Sequence, residues 1–146
     1  MCERILQRDF PGLRTSDFKL DSPCDKKYNC FAWAAGFSNL WWEPIPFPIP
    51  GYYWPRPPRR YDIQEYLDIL ESFGYSRCKS PDKEEGYQKV VIYVNDAGAF
   101  KHIARQEPSG QWTSKCGNGP DIMHELDGLE GSLYGKAKIF MKRRVG

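Results

Sequence analysis

The sequence predicts an α+β fold with short helices ahead of an antiparallel sheet. Three observations predict it. In the first half, apolar residues recur at helical spacing between strong start and stop signals. Beyond residue 86 the apolar period becomes that of strands, separated by Gly- and Pro-bearing turns. The chain has 146 residues, near the usual size of one domain and enough for a core without disulfide staples. Helices first and strands after is the α+β order.

Residues 1–27 are turn-rich. Phe10-Pro11-Gly12 and Asp21-Ser22-Pro23 punctuate them, so one short helical turn is expected there at most. Tyr28-Asn29-Cys30-Phe31-Ala32-Trp33-Ala34-Ala35-Gly36 follows. Asn29 is a good N-cap, and Gly36 tolerates the left-handed conformation that closes helices. Cys30 then lies in the first turn of a short buried helix, where the helix dipole favours thiolate, the nucleophilic form. The plainer alternative is a buried cysteine packing as a small hydrophobe.

Leu40-Trp41-Trp42 leads into Glu43-Pro44-Ile45-Pro46-Phe47-Pro48-Ile49-Pro50. Alternating prolines remove backbone donors and fix φ, so this stretch should run extended, close to polyproline II. Its alternating Ile45, Phe47 and Ile49 can lie on the body of the protein. The arm over 43–58 reads either as a rigid loop pinned by its own rings or as a ligand for a proline-recognising domain. Asp62-Ile63-Gln64-Glu65 reads as a capping box opening a helix to about Phe73, with Gly74 as the stop. Ile63, Tyr66, Leu67, Leu70 and Phe73 share its apolar face. Residues 80–86 form a charged loop.

Lys89 to Val94 is a strongly apolar strand, Asn95 to Gly98 a turn and Lys101 to Gln106 the next strand. Pro108-Ser109-Gly110 turns into a strand at 111–116, and 117–120 breaks the chain. Residues 121–129 read as irregular or as a short helix, and 135–143 as the last strand. The expected sheet has four to six strands.

Composition narrows the function classes. The formal net charge is +2, which gives no case for nucleic acid or an acidic membrane as partner. Aromatic residues make up 15%, enough for an aromatic core or a groove lined with rings. Five cysteines at irregular spacing, with no CxxC pair, do not make a secreted disulfide framework. Residues 1–8 lack the apolar run of a secretory signal. A reducing, cytoplasmic setting is the expectation, with export by a route that reads no N-terminal signal left open. Cys30, Cys78, Cys116, His102 and His124 are zinc-ligand types, but none forms the close pairs of structural zinc sites, so no metal or other cofactor is expected.

The candidate chemistry sits on the hairpin of 101–116. A three-residue turn at 108–110 places Glu107 opposite Gln111, His102 opposite Cys116 and Ser114 diagonal to His102. His102, Ala104 and Gln106 then share a face with Trp112, Ser114 and Cys116. If that face looks toward the Cys30 helix, a thiol, an imidazole and a third polar group converge, as nucleophilic cysteine catalysis needs. Other roles exist for each residue. His102 can be satisfied by a backbone carbonyl, Ser114 can be a small inward residue and His124 can cap a turn. Trp41, Trp42, Trp54 and Trp112 read as core or groove walls, and Arg105 and Lys115 as solvent-facing.

The order of a helix-borne cysteine, a strand-borne histidine and a polar residue on the next strand resembles the NlpC-type branch of the papain-like cysteine hydrolases. Tyr28-Asn29-Cys30 and His102-Ile103-Ala104-Arg105 carry the likeness, and Ser114 falls near the third position, over roughly residues 28–144. Ser114 departs from the stronger His or Asn usual there, and Gln106 or His124 are the other candidates. The arm at 43–58 stretches the cysteine-to-histidine spacing. The chain resembles more closely a mainly bacterial, uncharacterised family. That family shares the Tyr-Asn-Cys-x-Ala-Trp-Ala block, the His-x-Ala-Arg-Gln strand, Trp-Thr-Ser-Lys-x-Gly, Asp-Ile-x-His and a late Tyr-Gly, here Tyr134-Gly135.

The resemblance implies a papain-like fold and a cysteine hydrolase acting on an amide bond. Cys30 would be the nucleophile, His102 base and then acid, and Ser114 or Gln106 the group that orients His102. The backbone N–H of Cys30 would serve as oxyanion donor. Peptide or isopeptide bonds, peptidoglycan stem peptides and glutamine side chains are the candidate substrates. The alternative is a non-catalytic binding module that uses the proline-rich arm as its interface.

Overall fold

The computed structural model describes residues 2–145, with side chains from Arg4 onward. The Cys2 thiol therefore lies outside the described residues. The helices are α1 (Cys2–Asp9), α2 (Cys30–Ala35) and α3 (Ile63–Ser72). The strands are β1 (Phe18–Leu20), β2 (Trp41–Trp42), β3 (Tyr52–Tyr53), β4 (Ser76–Cys78), β5 (Tyr87–Val94), β6 (Phe100–Gln106), β7 (Trp112–Lys115), β8 (Asp121–His124) and β9 (Lys136–Arg144). Two 3₁₀ turns, Pro11–Arg14 and Leu126–Leu129, complete the elements.

Seven strands form one sheet in the order β1-β8-β7-β6-β5-β9-β4, and every pairing in it is antiparallel. β5 is an inner strand, paired with β6 on one side and β9 on the other. Residues Lys89 to Val94 are buried throughout, because both faces of the sheet are covered. On one face α2, α3, Trp42 and Trp54 pack on Val90, Ile92, Val94, Ile103 and Met141. On the other, Leu6, Phe10, Leu13 and Leu129 pack on Val91, Tyr93, Ala104, Trp112 and Ile122. Strands covered on both sides read as continuous apolar runs rather than alternations.

The helix signals act where the sequence places them. The Asn29 side chain accepts from the Ala32 N–H, and Gly36 closes α2 at φ 91°. The Asn29 amide also donates to the Trp42 carbonyl and accepts from the Trp42 N–H, which ties β2 to the start of α2. Asp62 caps α3 by accepting from the Gln64 N–H. The second half of the expected capping box is absent. The Glu65 carboxylate instead turns to the Trp54 indole N–H, the Arg56 guanidinium and the Arg59 N–H. Burial pulls that carboxyl up, but Arg56 and the two N–H donors outweigh it and hold Glu65 down at about 2.

Several expectations are corrected. The N-terminal region holds an eight-residue helix, a 3₁₀ turn and strand β1, not one helical turn. Residues 121–124 are a strand, and among the described residues the sheet has seven strands rather than four to six. β1, β4 and β8 are only three or four residues long, too short to show a period of two. The prolines of the arm do keep it irregular between β2 and β3, but Phe47 stands 64% exposed instead of lying on the body. Lys115 and Arg105 do not face solvent. Lys115 is fully buried, its ammonium donating to the Asp25 and Gly117 carbonyls beneath the Tyr28 ring. Arg105 lies 3.8 Å over the Trp33 ring and donates to the Trp33 carbonyl. Cys30, Cys78 and Cys116 are free thiols, whereas Cys24 is disulfide-bonded. Among the described residues no helix is long and apolar enough to cross a membrane.

Candidate active site

The hairpin has the expected register. The Glu107 N–H donates to the Gln111 carbonyl at 2.7 Å, and Arg105 pairs with Thr113 and Gln106 with Trp112. His102, Ala104, Gln106, Trp112, Ser114 and Cys116 therefore share a face. That face does not look toward α2. Ala104, Trp112 and Cys116 pack in the cluster built by α1 and the two 3₁₀ turns, while α2 covers the opposite face with Ile103 beneath it.

Cys30 and His102 nonetheless line one pocket of about 320 Å³ at the end of the sheet. The β6–β7 ladder ends at Arg105 and Thr113, short of His102. Trp41, Tyr66 and Phe100 form aromatic walls, with Glu43 and Lys101 as the charged groups.

The electrostatics are those of a neutral pair. Burial pushes the Cys30 thiol up to about 11, against the backbone N–H groups of Ile103, Phe31 and Cys30 itself and the more distant Lys115, which favour the thiolate. The expectation that the helix start yields a thiolate is corrected: desolvation of the charged form is the larger effect. Cys30 as a residue is still only half-buried, open on its pocket side. Burial, with His124 adding repulsion, holds the His102 imidazole well below its ordinary range, so it is neutral.

His102 is 1% exposed, and among the described residues neither of its ring nitrogens has a hydrogen-bond partner. No hydrogen bond joins it to Cys30, and none joins it to either proposed orienting residue. Ser114 Oγ lies 2.6 Å from His124 Nε2, and His124 Nδ1 lies 2.8 Å from the Glu125 carbonyl. The Gln106 amide donates to the Pro81 and Gly110 carbonyls. Aromatic rings surround His102 instead. Tyr134 stacks on it at 4.1 Å and 6°, and Tyr93 meets it edge-on at 5.5 Å.

Residues 19–142 match the family described as Domain of unknown function (DUF7689). The chain belongs to that family. The matched region holds Cys30, His102, Ser114, His124 and Tyr134, and with them the whole pocket. No curated protein and no solved structure matches the chain. Among the described residues no group of three or more His, Cys, Asp or Glu side chains is arranged to hold a metal.

Sequence reasoning missed Tyr134. Its signal was present in the late Tyr-Gly pair, but nothing local shows that the ring reaches a histidine thirty-two positions earlier.

Proposed function

We propose that this chain is a cysteine hydrolase of papain-like, NlpC-type character, acting on an amide or related acyl bond through Cys30 and His102. The observation that supports the reading is the shared pocket: one thiol and one imidazole, the latter without a hydrogen-bond partner among the described residues, line the same cavity. A buried imidazole with both nitrogens free is costly unless it has work to do.

The resting pair is thiol and neutral imidazole. As a carbonyl substrate fills the pocket, His102 takes the Cys30 proton and the thiolate attacks the carbonyl carbon. The imidazolium then protonates the leaving amine, the C–N bond breaks and a thioester remains. Water, deprotonated by His102, attacks the thioester, and the acid leaves as the thiol is reformed. The backbone N–H of Cys30, at the start of α2, is the oxyanion donor of this reading. A long or absent hydrogen bond between base and nucleophile is common before substrate binds.

Acylation by a p-nitrophenyl ester, followed by intact mass, tests this. The expected product carries one acyl group on Cys30, formed with a burst of p-nitrophenol and absent in Cys30→Ser. Acylation spread over Cys30 and Cys78 alike, without a burst, sinks the reading.

The second reading is a binding module. The observation favouring it is the arm, where Phe47, Ile49, Tyr52 and Tyr53 stand 36–64% exposed on one proline-rich segment. Substitution of Phe47 with unchanged Cys30 acylation but lost partner capture would favour that reading.

A further inference from the structure

We infer that Tyr134 is the positioning residue for His102, taking by ring stacking the place that a third polar residue holds in other cysteine–histidine sites. The inference rests on the hydrolase reading for its catalytic meaning, but its geometry stands apart from it.

The Tyr134 ring lies parallel to the imidazole at 4.1 Å and 6°. It lines the same pocket as Cys30 and His102. Tyr93 closes the edge of the imidazole at 5.5 Å, and its own hydroxyl is tied to the Leu126 carbonyl at 2.7 Å. Phe10 backs Tyr134 at 4.7 Å, and Tyr134 packs against the apolar cluster that holds Phe10 and Cys116.

The loop carrying Tyr134 is itself built to hold that ring still. Gly131 and Gly135 bond each other in both directions, at 3.0 and 2.8 Å. Gly135 adopts φ +75°, and a Cβ there would come within 1.9 Å of the Val94 carbonyl oxygen. Only glycine allows this closeness, so the loop is clamped onto the end of β5 one residue from the stacking ring. A stack fixes the plane of an imidazole while leaving both nitrogens free. That suits a group that must accept a proton from sulfur and later deliver it to a leaving amine.

The test compares Tyr134→Phe, which keeps the ring, with Tyr134→Leu, which removes it. Two readouts are used: the iodoacetamide rate of Cys30 across pH 6–10, and the titration of His102 followed by NMR. Phe is expected within about twofold of wild type in both. Leu is expected to lose roughly tenfold in the His102-dependent rate at neutral pH, and to lose nothing further in a His102→Ala background. Leu at the wild-type rate with an unmoved His102 titration overturns the inference, as does an equal loss in Phe and Leu. If Leu does not fold, Tyr134→Met replaces it, since its flexible chain fills irregular space without a ring. If His102→Ala leaves the Cys30 rate unchanged, the hydrolase reading is what fails. Tyr134 is then judged on the His102 titration alone, where Leu must shift it and Phe must not.

Discussion

Ser114 Oγ sits 2.6 Å from His124 Nε2, so the serine expected to orient His102 serves another histidine. The His124 ring is fully committed, its Nδ1 donating to the Glu125 carbonyl while Nε2 accepts from Ser114. This neutral form fits its position, since burial lowers its pKa to about 4 despite the Glu125 bond.

Ser114→Ala should therefore act on stability and not on the pocket. It leaves a buried imidazole nitrogen without its partner, a loss on the order of 1–3 kcal/mol. Urea unfolding should show the midpoint falling with an unchanged slope, and the alkylation rate of Cys30 should stay at the wild-type value.

The two histidines set an acid limit. In the unfolded chain each takes up a proton near pH 6.5, while in the folded protein His124 resists until about 4 and burial holds His102 well below its ordinary value. Below 6.5 the unfolded state then binds more protons, so stability is complete above that pH and is lost as pH falls toward 4. The slope should reach about 1.4 kcal/mol per pH unit for each histidine. Thermal unfolding between pH 7 and 5 checks this, and His102→Phe, which keeps a ring against Tyr134, should remove about half of the slope.

Glu65 governs a lower window. Its folded value is depressed from 4.5 to about 2, so its contribution is present above pH 4.5 and is lost as pH falls through that window. Glu65→Gln should cost about 2–3 kcal/mol at pH 7, because Arg56 loses a buried partner. The gap between variant and wild type should shrink below pH 4. Urea unfolding at pH 7 and pH 3 measures both.

Gly135→Ala should be among the most damaging single-methyl changes in the chain. The added Cβ meets the Val94 carbonyl oxygen at 1.9 Å and stands at a positive φ, so β5 or the loop must move. A loss above about 2 kcal/mol is expected. By contrast, Gly86→Ala has the φ penalty but nothing within 4 Å of the new Cβ and should cost less. Differential scanning calorimetry separates them.

Much of the fold was legible where one local signal decides one local outcome. Asn29 and Gly36 bound α2, Asp62 opens α3, and the turn at 108–110 set the hairpin register to the residue. What was not legible depends on partners distant in sequence. The alternation of β6 assigns His102 and Ser114 to one face but cannot say which helix covers that face. Glu65 looked like half of a capping box because Trp54 and Arg56 were not visible as its partners. Lys115 and Arg105 looked exposed because the Asp25 and Gly117 carbonyls and the Trp33 ring that receive them come from other elements. The candidate pair was named by residue type and order, whereas the pocket that Cys30 and His102 share is also lined by Trp41, Glu43, Tyr66 and Tyr134, from segments that no spacing brings together.

The most direct measurement is the pH dependence of Cys30 alkylation by iodoacetamide, read residue by residue by mass spectrometry in wild type and in His102→Ala. A thiol near 11 is only about one part in 10⁴ thiolate at pH 7. The expected result is a Cys30 rate at pH 7 above what that thiolate fraction allows, because His102 takes the proton as the reagent adds, and a drop of at least tenfold without His102. The contradicting result is a Cys30 rate that climbs tenfold per pH unit to beyond pH 10 in both proteins, the behaviour of a buried thiol acting alone.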